Sequence, residues 1–151
     1  MTTRRRLSGL VRVPLPPDES FVLFTPRGEE RWVRGWRPRF PADTDVGTDV
    51  DAVDDTEPGT VFETVHDGET TIWVVLARTP GRHVSYARVT PGQRAGTVTV
   101  DIGDDGNATV TYDLTALTGE ASRHLDDFAA VYPGFLRSWE EAIAAHLKPT
   151  A

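Results

Sequence analysis

The side chains of this sequence that could do chemistry are three tyrosines and one arginine placed among apolar residues. Tyr86 and Arg88 lie two positions apart in one β-type run, Tyr112 lies in another, and Tyr132 lies in a helical stripe. A buried phenol needs a hydrogen-bond partner, so these tyrosines would bring polar groups into an apolar interior. A buried Arg88 would need an anion, either a carboxylate such as Glu63 or the acid group of a ligand; an exposed position at a strand edge is the alternative.

No other set of residues has the spacing of a catalytic or metal centre. The chain contains no cysteine, which excludes a disulfide, a thiol nucleophile and a cysteine metal site. The four histidines are scattered without metal-ligand spacing, and the serines stand in no nucleophile-elbow context. The glycines belong to turns and form no phosphate-binding loop. We therefore expect no catalytic residue, no metal and no cofactor.

An acidic stretch from Pro41 to Pro58 carries seven acidic residues and no aromatic residue. We interpret its central part, residues 42–57, as an exposed loop. A metal site is the alternative because aspartates are hard oxygen ligands, although the spacing lacks the central glycine and terminal glutamate of a calcium loop. The aspartates concerned are Asp43, Asp45, Asp49, Asp51, Asp54 and Asp55.

The charge and the N-terminus set expectations for partners and location. A formal net charge of -7 argues against a general nucleic-acid binder, which needs a basic surface. Arg4–Arg6 invite comparison with a twin-arginine export signal, but Arg12 and several prolines interrupt the apolar region that such a signal needs. No run is long enough to span a bilayer. We expect a cytoplasmic protein with a flexible tail over residues 1–8 and a single domain over residues 9–148.

The C-terminal helix is the element that the sequence predicts most clearly. Apolar residues recur every three or four positions from Thr118 to Lys148, which predicts one long amphipathic helix. Thr118 can cap its start, and Pro149 prevents its continuation. Pro133 followed by Gly134 predicts a bend or a break, and the start of a second helix at Pro133 is the alternative. The predicted buried stripe consists of Leu125, Phe128, Tyr132, Phe135, Leu136, Trp139, Ile143 and Leu147.

Five β-type runs with turn signals between them precede this helix and predict an antiparallel meander. They are Val61–Val65, Thr71–Ala77, His83–Val89, Gly96–Ile102 and Ala108–Leu114. Earlier in the chain, three further segments predict a strand, a short helix and a second short helical turn. They are Leu10–Leu15, Pro17–Phe24 and Gly28–Val33, in that order.

The faces of the two central runs depend on the register of their hairpin. If Thr79 opposes Arg82, one face of the sheet combines Trp73, Val75 and Ala77 with Val84, Tyr86 and Arg88. A slip of one residue would exchange the two faces. That face would then carry Ile72, Val74, Leu76, Ser85, Ala87 and Val89.

One strand, two short helices, five strands and one long helix make an α+β domain in which the helix buries its stripe on the sheet. Five further segments carry a family resemblance: Phe24–Trp36, Pro58–Phe62, Thr71–Val75, Tyr86–Gly92 and Phe135–Trp139. With these segments and this order of elements, the sequence resembles the START-like superfamily called SRPBCC, which includes birch pollen allergens, lipid-transfer START domains and bacterial polyketide cyclases. It looks like an uncharacterised bacterial and archaeal branch. The resemblance implies a helix-grip fold, in which a curved antiparallel sheet of six or seven strands wraps around the C-terminal helix.

The resemblance also implies a cavity between the sheet and the helix, which the superfamily uses for apolar or amphipathic ligands. We expect the protein to store, transport or sense a small hydrophobic or aromatic ligand there. The candidate lining residues could instead simply fill the core. They are Phe21, Phe24, Trp36, Trp73, Val75, Tyr86, Arg88, Val98, Val100, Val110, Tyr112, Phe128, Tyr132, Phe135 and Trp139.

Two alternative functions come from other classes. The first is an enzyme of the polyketide cyclase or dehydratase kind, in which Tyr86, Arg88 or Glu63 would act as proton donor, charge stabiliser or base on a bound polyketide. The second is a protein-interaction module, which an exposed apolar patch of several hundred Å² would favour.

Overall fold

A computed structural model describes residues 3–42 and 54–149 of the chain. These residues form an antiparallel sheet of six strands in the order β1-β6-β5-β4-β3-β2, together with two short helices and one long one. The predicted α+β architecture, a curved sheet followed by a long C-terminal helix, is confirmed. The strands are β1 (Arg4–Val11), β2 (Val61–His66), β3 (Glu69–Thr79), β4 (His83–Thr90), β5 (Arg94–Ile102) and β6 (Ala108–Ala116). The helices are α1 (Pro17–Leu23), α2 (Pro26–Glu29) and α3 (Gly119–Leu147).

The first strand starts earlier than its apolar pattern predicts. It begins at Arg4 and ends at Val11, whereas the pattern predicts a strand over Leu10–Leu15. The expectation of a flexible tail over residues 1–8 is therefore wrong for residues 4–8, which pair with Thr111–Thr115 of β6. The physical reason is tertiary, because backbone pairing with β6 extends the strand, and the side chains of Arg4 and Arg5 add ion pairs of 2.8 and 2.7 Å with carboxylates of β6 and α3.

The long helix follows its predicted bounds and its predicted stripe. The side chain of Thr118 accepts a hydrogen bond from the backbone N–H of Ala121 and caps the helix. Leu125 and Ile143 are among the most completely buried side chains of the protein. The helix runs without interruption through Pro133, so the predicted break and the alternative of a second helix starting there are wrong. A bend at this position stays a prediction.

A β-bulge in β3 decides which residues of the central hairpin face inward. Thr79 pairs with His83 rather than with Arg82, and the register shifts between Val75 and Ala77. Ala77 is therefore exposed instead of sharing the inner face, which corrects the predicted register near the turn. Beyond the bulge the predicted register holds in the pairs Trp73–Arg88 and Val75–Tyr86.

At the β2 edge of the sheet, the described residues contain no seventh strand. An isolated bridge between Arg39 and Glu63 extends this edge instead. Residues 43–53 of the acidic stretch, with Asp43, Asp45, Asp49 and Asp51, lie outside the described residues. Asp54 pairs with Arg78, and the Asp55 carboxylate accepts a hydrogen bond of 2.9 Å from the backbone of Arg27.

The described residues contain neither a cluster suited to a metal ion nor a helix suited to crossing a membrane. Within residues 3–42 and 54–149, no three or more histidine or acidic side chains lie close enough together to hold a metal ion. Among the helices just described, none has the length and apolar character needed to cross a membrane.

The position of α3 leaves part of the sheet uncovered. The helix packs mainly on β1 and β6. Gly9 permits this close approach, because a Cβ atom there would lie 2.5 Å from Cδ1 of Leu136. The inner faces of β2 to β5 are therefore farther from the helix than the inner face of β1. This asymmetry leaves space between the helix and that half of the sheet.

Candidate functional site

A cavity of about 490 Å³ occupies this space. Its floor is formed by inward side chains of β2 to β6, its roof by α3, and one end by α2 and the residues that follow it. The members of its lining that are exposed to solvent mark the mouth, which lies between the β2–β3 turn, the loop after α2 and the first turns of α3. They are Arg34, Gly35, Val65, His66, Glu69 and His124.

The structure brings ten of the fifteen predicted cavity residues to this space. Phe21, Phe24, Val75, Val110 and Tyr132 lie instead in the surrounding core. Their inward direction was predictable, but the distance between the helix and the sheet at each position was not. The ten residues that line the cavity are Trp36, Trp73, Tyr86, Arg88, Val98, Val100, Tyr112, Phe128, Phe135 and Trp139.

Aromatic rings of α3 form much of the apolar wall. Phe128, Phe135 and Trp139 are only partly buried, since each borders the cavity. Tyr112 lies beneath them on β6, with ring centroids 5.6, 6.0 and 6.5 Å from these three side chains. Contacts of this kind hold each ring in place from the side and leave ring surface for a ligand.

The connection between α1 and α2 is fixed by side chains of three aromatic residues. The last carbonyls of a helix lack partners within the helix, and here indole and phenol groups supply donors to this region. The bonds run from Trp32 Nε1 to Leu23 O at 2.8 Å, from Tyr86 Oη to Phe24 O at 2.9 Å, and from Trp36 Nε1 to Pro26 O at 2.7 Å. Tyr86 and Trp36 thus both line the cavity and hold its α2 end in position.

Glu29 is a cavity residue that the sequence pattern did not single out. It is the last residue of α2, and it has no hydrogen bond or ion pair from its carboxyl group within the described part of the chain. Burial, and then the nearby charge of Asp55, raise the pKa of Glu29 well above its usual value of 4.5. In the sequence, Glu29 and Glu30 look like a solvated pair, and only the tertiary structure separates the inward carboxyl from the outward one.

Arg88 lines the cavity as a buried cation from a central strand, so the alternative of an exposed strand-edge arginine is wrong. Its guanidinium lies over the Trp73 ring, 4.8 Å from the centroid, and makes one hydrogen bond of 3.3 Å, from Nη2 to Oγ1 of Thr90. Glu63 does not line the cavity and pairs with Arg39 at 3.0 Å. Burial lowers the pKa of Arg88 to about 10, which leaves the group charged at neutral pH.

The three predicted tyrosines differ in what their hydroxyl groups contact. Tyr86 donates to the Phe24 carbonyl, and Tyr132 donates to the Val110 carbonyl at 2.7 Å. The Tyr112 hydroxyl has no hydrogen-bond partner among residues 3–42 and 54–149, and Tyr112 lines the cavity. Burial raises the pKa of Tyr112, so its phenol keeps the proton that it can donate.

Together, the curved sheet, the long C-terminal helix and the cavity between them define a protein of the helix-grip fold, the fold of the START-like superfamily. No family model matches the chain, and no curated protein matches it in sequence. Solved structures match it over nearly its whole length.

One such structure is major latex-like protein 151 from Panax ginseng, with 15% identity and a TM-score of 0.66; the match covers 97% of this chain and 99% of that one. Another is an uncharacterised protein from Rhizobium leguminosarum, with 14% identity, a TM-score of 0.65, and 96% and 97% coverage. Norcoclaurine synthase from Thalictrum flavum has 10% identity and a TM-score of 0.59, with 95% and 86% coverage. At these identities the likeness shows the fold alone.

Proposed function

We propose that the protein binds a small hydrophobic or aromatic compound in this cavity, as a storage, transport or sensing protein. The observation that carries the proposal is the cavity volume of about 490 Å³. Ligand pockets generally measure about 300–1,000 Å³, whereas voids in a packed core hold at most a few water molecules. An aromatic wall that bordered so large a space without a ligand would leave much apolar surface in contact with water.

The chemistry of the lining supports an apolar ligand with few polar groups. Aromatic and aliphatic side chains supply most of the wall, and polar side chains, among them Glu29, Arg88 and Tyr112, are interspersed with them. That distribution is typical of small-molecule sites, in which a few polar groups fix the orientation of an otherwise apolar ligand. Norcoclaurine synthase, as its name states, makes a small organic compound, which supports a role of this fold in handling such compounds.

A binding screen tests the proposal. Trp36, Trp73 and Trp139 line the cavity, so a bound compound should quench their fluorescence. Fatty acids, polyketide-like aromatics and flavonoid-like compounds should include micromolar ligands that also raise the melting temperature. Free tryptophan amide at matched absorbance controls for optical quenching. The proposal fails if no compound of the three classes changes either the protein fluorescence or the melting temperature.

A cyclase- or dehydratase-like enzyme is the second candidate, and the position of Glu29 favours it. A carboxyl group with a raised pKa and the unbonded hydroxyl of Tyr112 face one cavity, and both could exchange a proton with a bound compound. Of the residues first considered for this role, Glu63 lies outside the cavity, and Tyr86 is bonded to a backbone carbonyl.

Mass spectrometry separates the two candidates. Compounds found in the screen are incubated with the wild-type protein and with Glu29→Gln. A binding protein returns them unchanged in both cases. An enzyme converts at least one of them, and the substitution slows conversion while binding persists.

The interaction-module alternative has one structural feature in its favour. The outer face of β2 to β4 exposes four large apolar side chains, Val61, Ile72, Leu76 and Val89. Nothing in the described residues indicates what would cover them. As part of the small-molecule function, we also propose that the protein is cytoplasmic and has no nucleic-acid partner.

A further inference from the structure

Within the cavity, positive charge is concentrated where the inner faces of β4, β5 and β6 meet. Arg88 lies on β4 and Arg94 begins β5, close enough for their charges to repel. Tyr112 on β6 lies close enough to Arg88 for an electrostatic interaction. We call Arg88, Arg94 and Tyr112 the basic end of the cavity. All three border the space that a ligand would fill.

Backbone register leaves room at this end. Gly96 pairs directly with Arg88 across β4 and β5, so no side chain stands beside the guanidinium at that position. A Cβ atom at Gly96 would lie 1.9 Å from the backbone oxygen of Asp113, which requires glycine there. The next inward row contains Tyr86, Val98 and Tyr112, and its Tyr112 ends with the unbonded hydroxyl.

The described residues leave most donors of the Arg88 guanidinium without a partner. A guanidinium has five N–H donors, and a buried charge is ordinarily paired with an opposite one. No ion pair of the described residues includes Arg88. Among residues 3–42 and 54–149, its buried Nε has no hydrogen-bond partner, and Thr90 is the single acceptor of a bond from the group. The guanidinium therefore has donors free for an anionic group of a ligand.

We propose that the ligand of this cavity is an organic acid whose carboxylate pairs with Arg88 and accepts a hydrogen bond from Tyr112. Its apolar body then lies against Phe128, Phe135 and Trp139, which form the aromatic wall. This inference rests on the proposed binding function and adds the chemical class of the ligand. The planar guanidinium of Arg88 suits a carboxylate, whose two coplanar oxygens can accept two parallel N–H bonds, and the charge of Arg94 adds to the attraction.

Glu29 does not oppose this arrangement. Tyr112 is close enough to Glu29 for an electrostatic interaction, but the raised pKa of Glu29 favours its neutral form, which repels a carboxylate less. The neutral carboxyl group also offers a donor to a hydroxyl or carbonyl oxygen elsewhere on the ligand. An aromatic or aliphatic acid with one further oxygen therefore suits both the basic end and Glu29.

A matched pair of probes tests the inference at neutral pH. Isothermal titration compares 2-naphthoate with 2-naphthamide, which share the ring system and differ in the charged group. Wild-type protein should bind the acid at least about tenfold more tightly, as expected for hydrogen bonds between charged partners. Arg88→Gln should reduce this ratio to about one while the amide affinity changes by less than about threefold. Arg137→Gln, an exposed arginine of α3 outside the cavity lining, should preserve the wild-type preference.

The outcomes distinguish failure of this inference from failure of the proposed binding function. Equal wild-type affinities for acid and amide, or an undiminished acid preference in Arg88→Gln, overturns the inference. If neither probe binds but neutral compounds bind in the screen, the inference is overturned and the proposed function stands. If nothing binds, both are overturned. The wild-type comparison needs no variant, so poor folding of Arg88→Gln cannot leave the inference undecided.

Discussion

Arg88 and Glu29 border the same cavity, and burial acts on their two charges in opposite directions. Burial lowers the pKa of Arg88 to about 10, so the guanidinium stays charged at neutral pH. Burial raises the pKa of Glu29, so the carboxyl group moves toward its neutral form. The cavity consequently has a positive end and a polar, less charged end. Burial of each group lowers the stability of the unliganded protein, so a substitution at each position can be tested by its effect on stability.

Arg88→Met should make the unliganded protein more stable. The substitution replaces an unpaired buried charge by an apolar side chain of similar length, while the contact over the Trp73 ring can be partly retained. We expect a gain of about 0.5–2 kcal/mol in the free energy of unfolding, measured by urea denaturation. Arg34→Met at the mouth is the matched control and should change stability little. A less stable Arg88→Met protein would show that the guanidinium is satisfied within the folded chain.

Glu29→Gln should change how stability depends on pH. The folded protein binds a proton at Glu29 that the unfolded chain has already released above pH 4.5, so the free energy of unfolding falls as pH rises toward the folded-state pKa. One such group contributes at most about 1.4 kcal/mol per pH unit. Glutamine cannot titrate, so the melting temperature of the variant should fall less between about pH 5 and 8. Asp55, whose pKa is also raised, leaves part of the slope. Parallel curves for both proteins would contradict the burial of Glu29.

Among the elements, α3 and the β3–β4 hairpin show what a local pattern can predict and what it cannot. The stripe from Leu125 to Leu147 predicts the buried face of α3, because helical periodicity depends only on nearby residues. The bulge after Val75 is not visible in the pattern, since residues on both sides of it have β-type sequences. The start of β1 at Arg4 depends on backbone pairing with β6, which is distant in the sequence. Local sequence therefore predicts which elements form, and tertiary contacts set some of their bounds.

The residues of the candidate site also divide into those that local sequence predicts and those that only tertiary contacts determine. The aromatic members of the cavity wall follow from the faces of α3 and the strands, once the resemblance supplies the helix-grip arrangement. Glu29 does not, because α2 is four residues long and too short for a periodic pattern. The separation of Phe128 from Tyr132, one at the cavity and one in the core, also depends on how α3 lies over β1 and β6.

Two glycines in helices should respond oppositely to alanine. At Gly134 in α3, the nearest heavy atom to an added Cβ is Nη2 of Arg137 at 3.7 Å, an ordinary contact. Gly134→Ala should therefore gain about 0.5–1 kcal/mol from helix propensity. At Gly28 in α2, an added Cβ would lie 1.7 Å from the backbone oxygen of Val22. Gly28→Ala should lose about 3 kcal/mol or more, because the α1–α2 connection must shift.

Urea midpoints of the two variants, at unchanged slope, measure both effects. A stable Gly28→Ala protein would contradict the close packing of α1 and α2. A destabilised Gly134→Ala protein would show that glycine is needed where α3 passes Pro133.

For the whole molecule, the cavity follows from unequal packing of one helix on one sheet. The helix rests on β1 and β6, where Gly9 admits it closely, and stands away from the remaining strands. Three aromatic side-chain hydrogen bonds hold α1 and α2 across one end. The enclosed space is large enough for a small molecule, and its lining includes Arg88, whose buried Nε has no hydrogen-bond partner among the described residues. The central claim is that a ligand occupies this space.

A cavity-filling substitution tests that claim most directly. Val98 lies on the cavity floor in β5, and Thr97 is the adjacent residue, whose side chain points to the other face of the sheet. Val98→Trp and Thr97→Trp introduce the same side chain on opposite faces. The dissociation constant of the tightest-binding compound from the screen is measured by isothermal titration for the wild type and for both variants. We expect Val98→Trp to weaken binding by at least about tenfold, and Thr97→Trp to bind like the wild type. Equal affinity in all three folded proteins would contradict the claim that the ligand occupies this cavity.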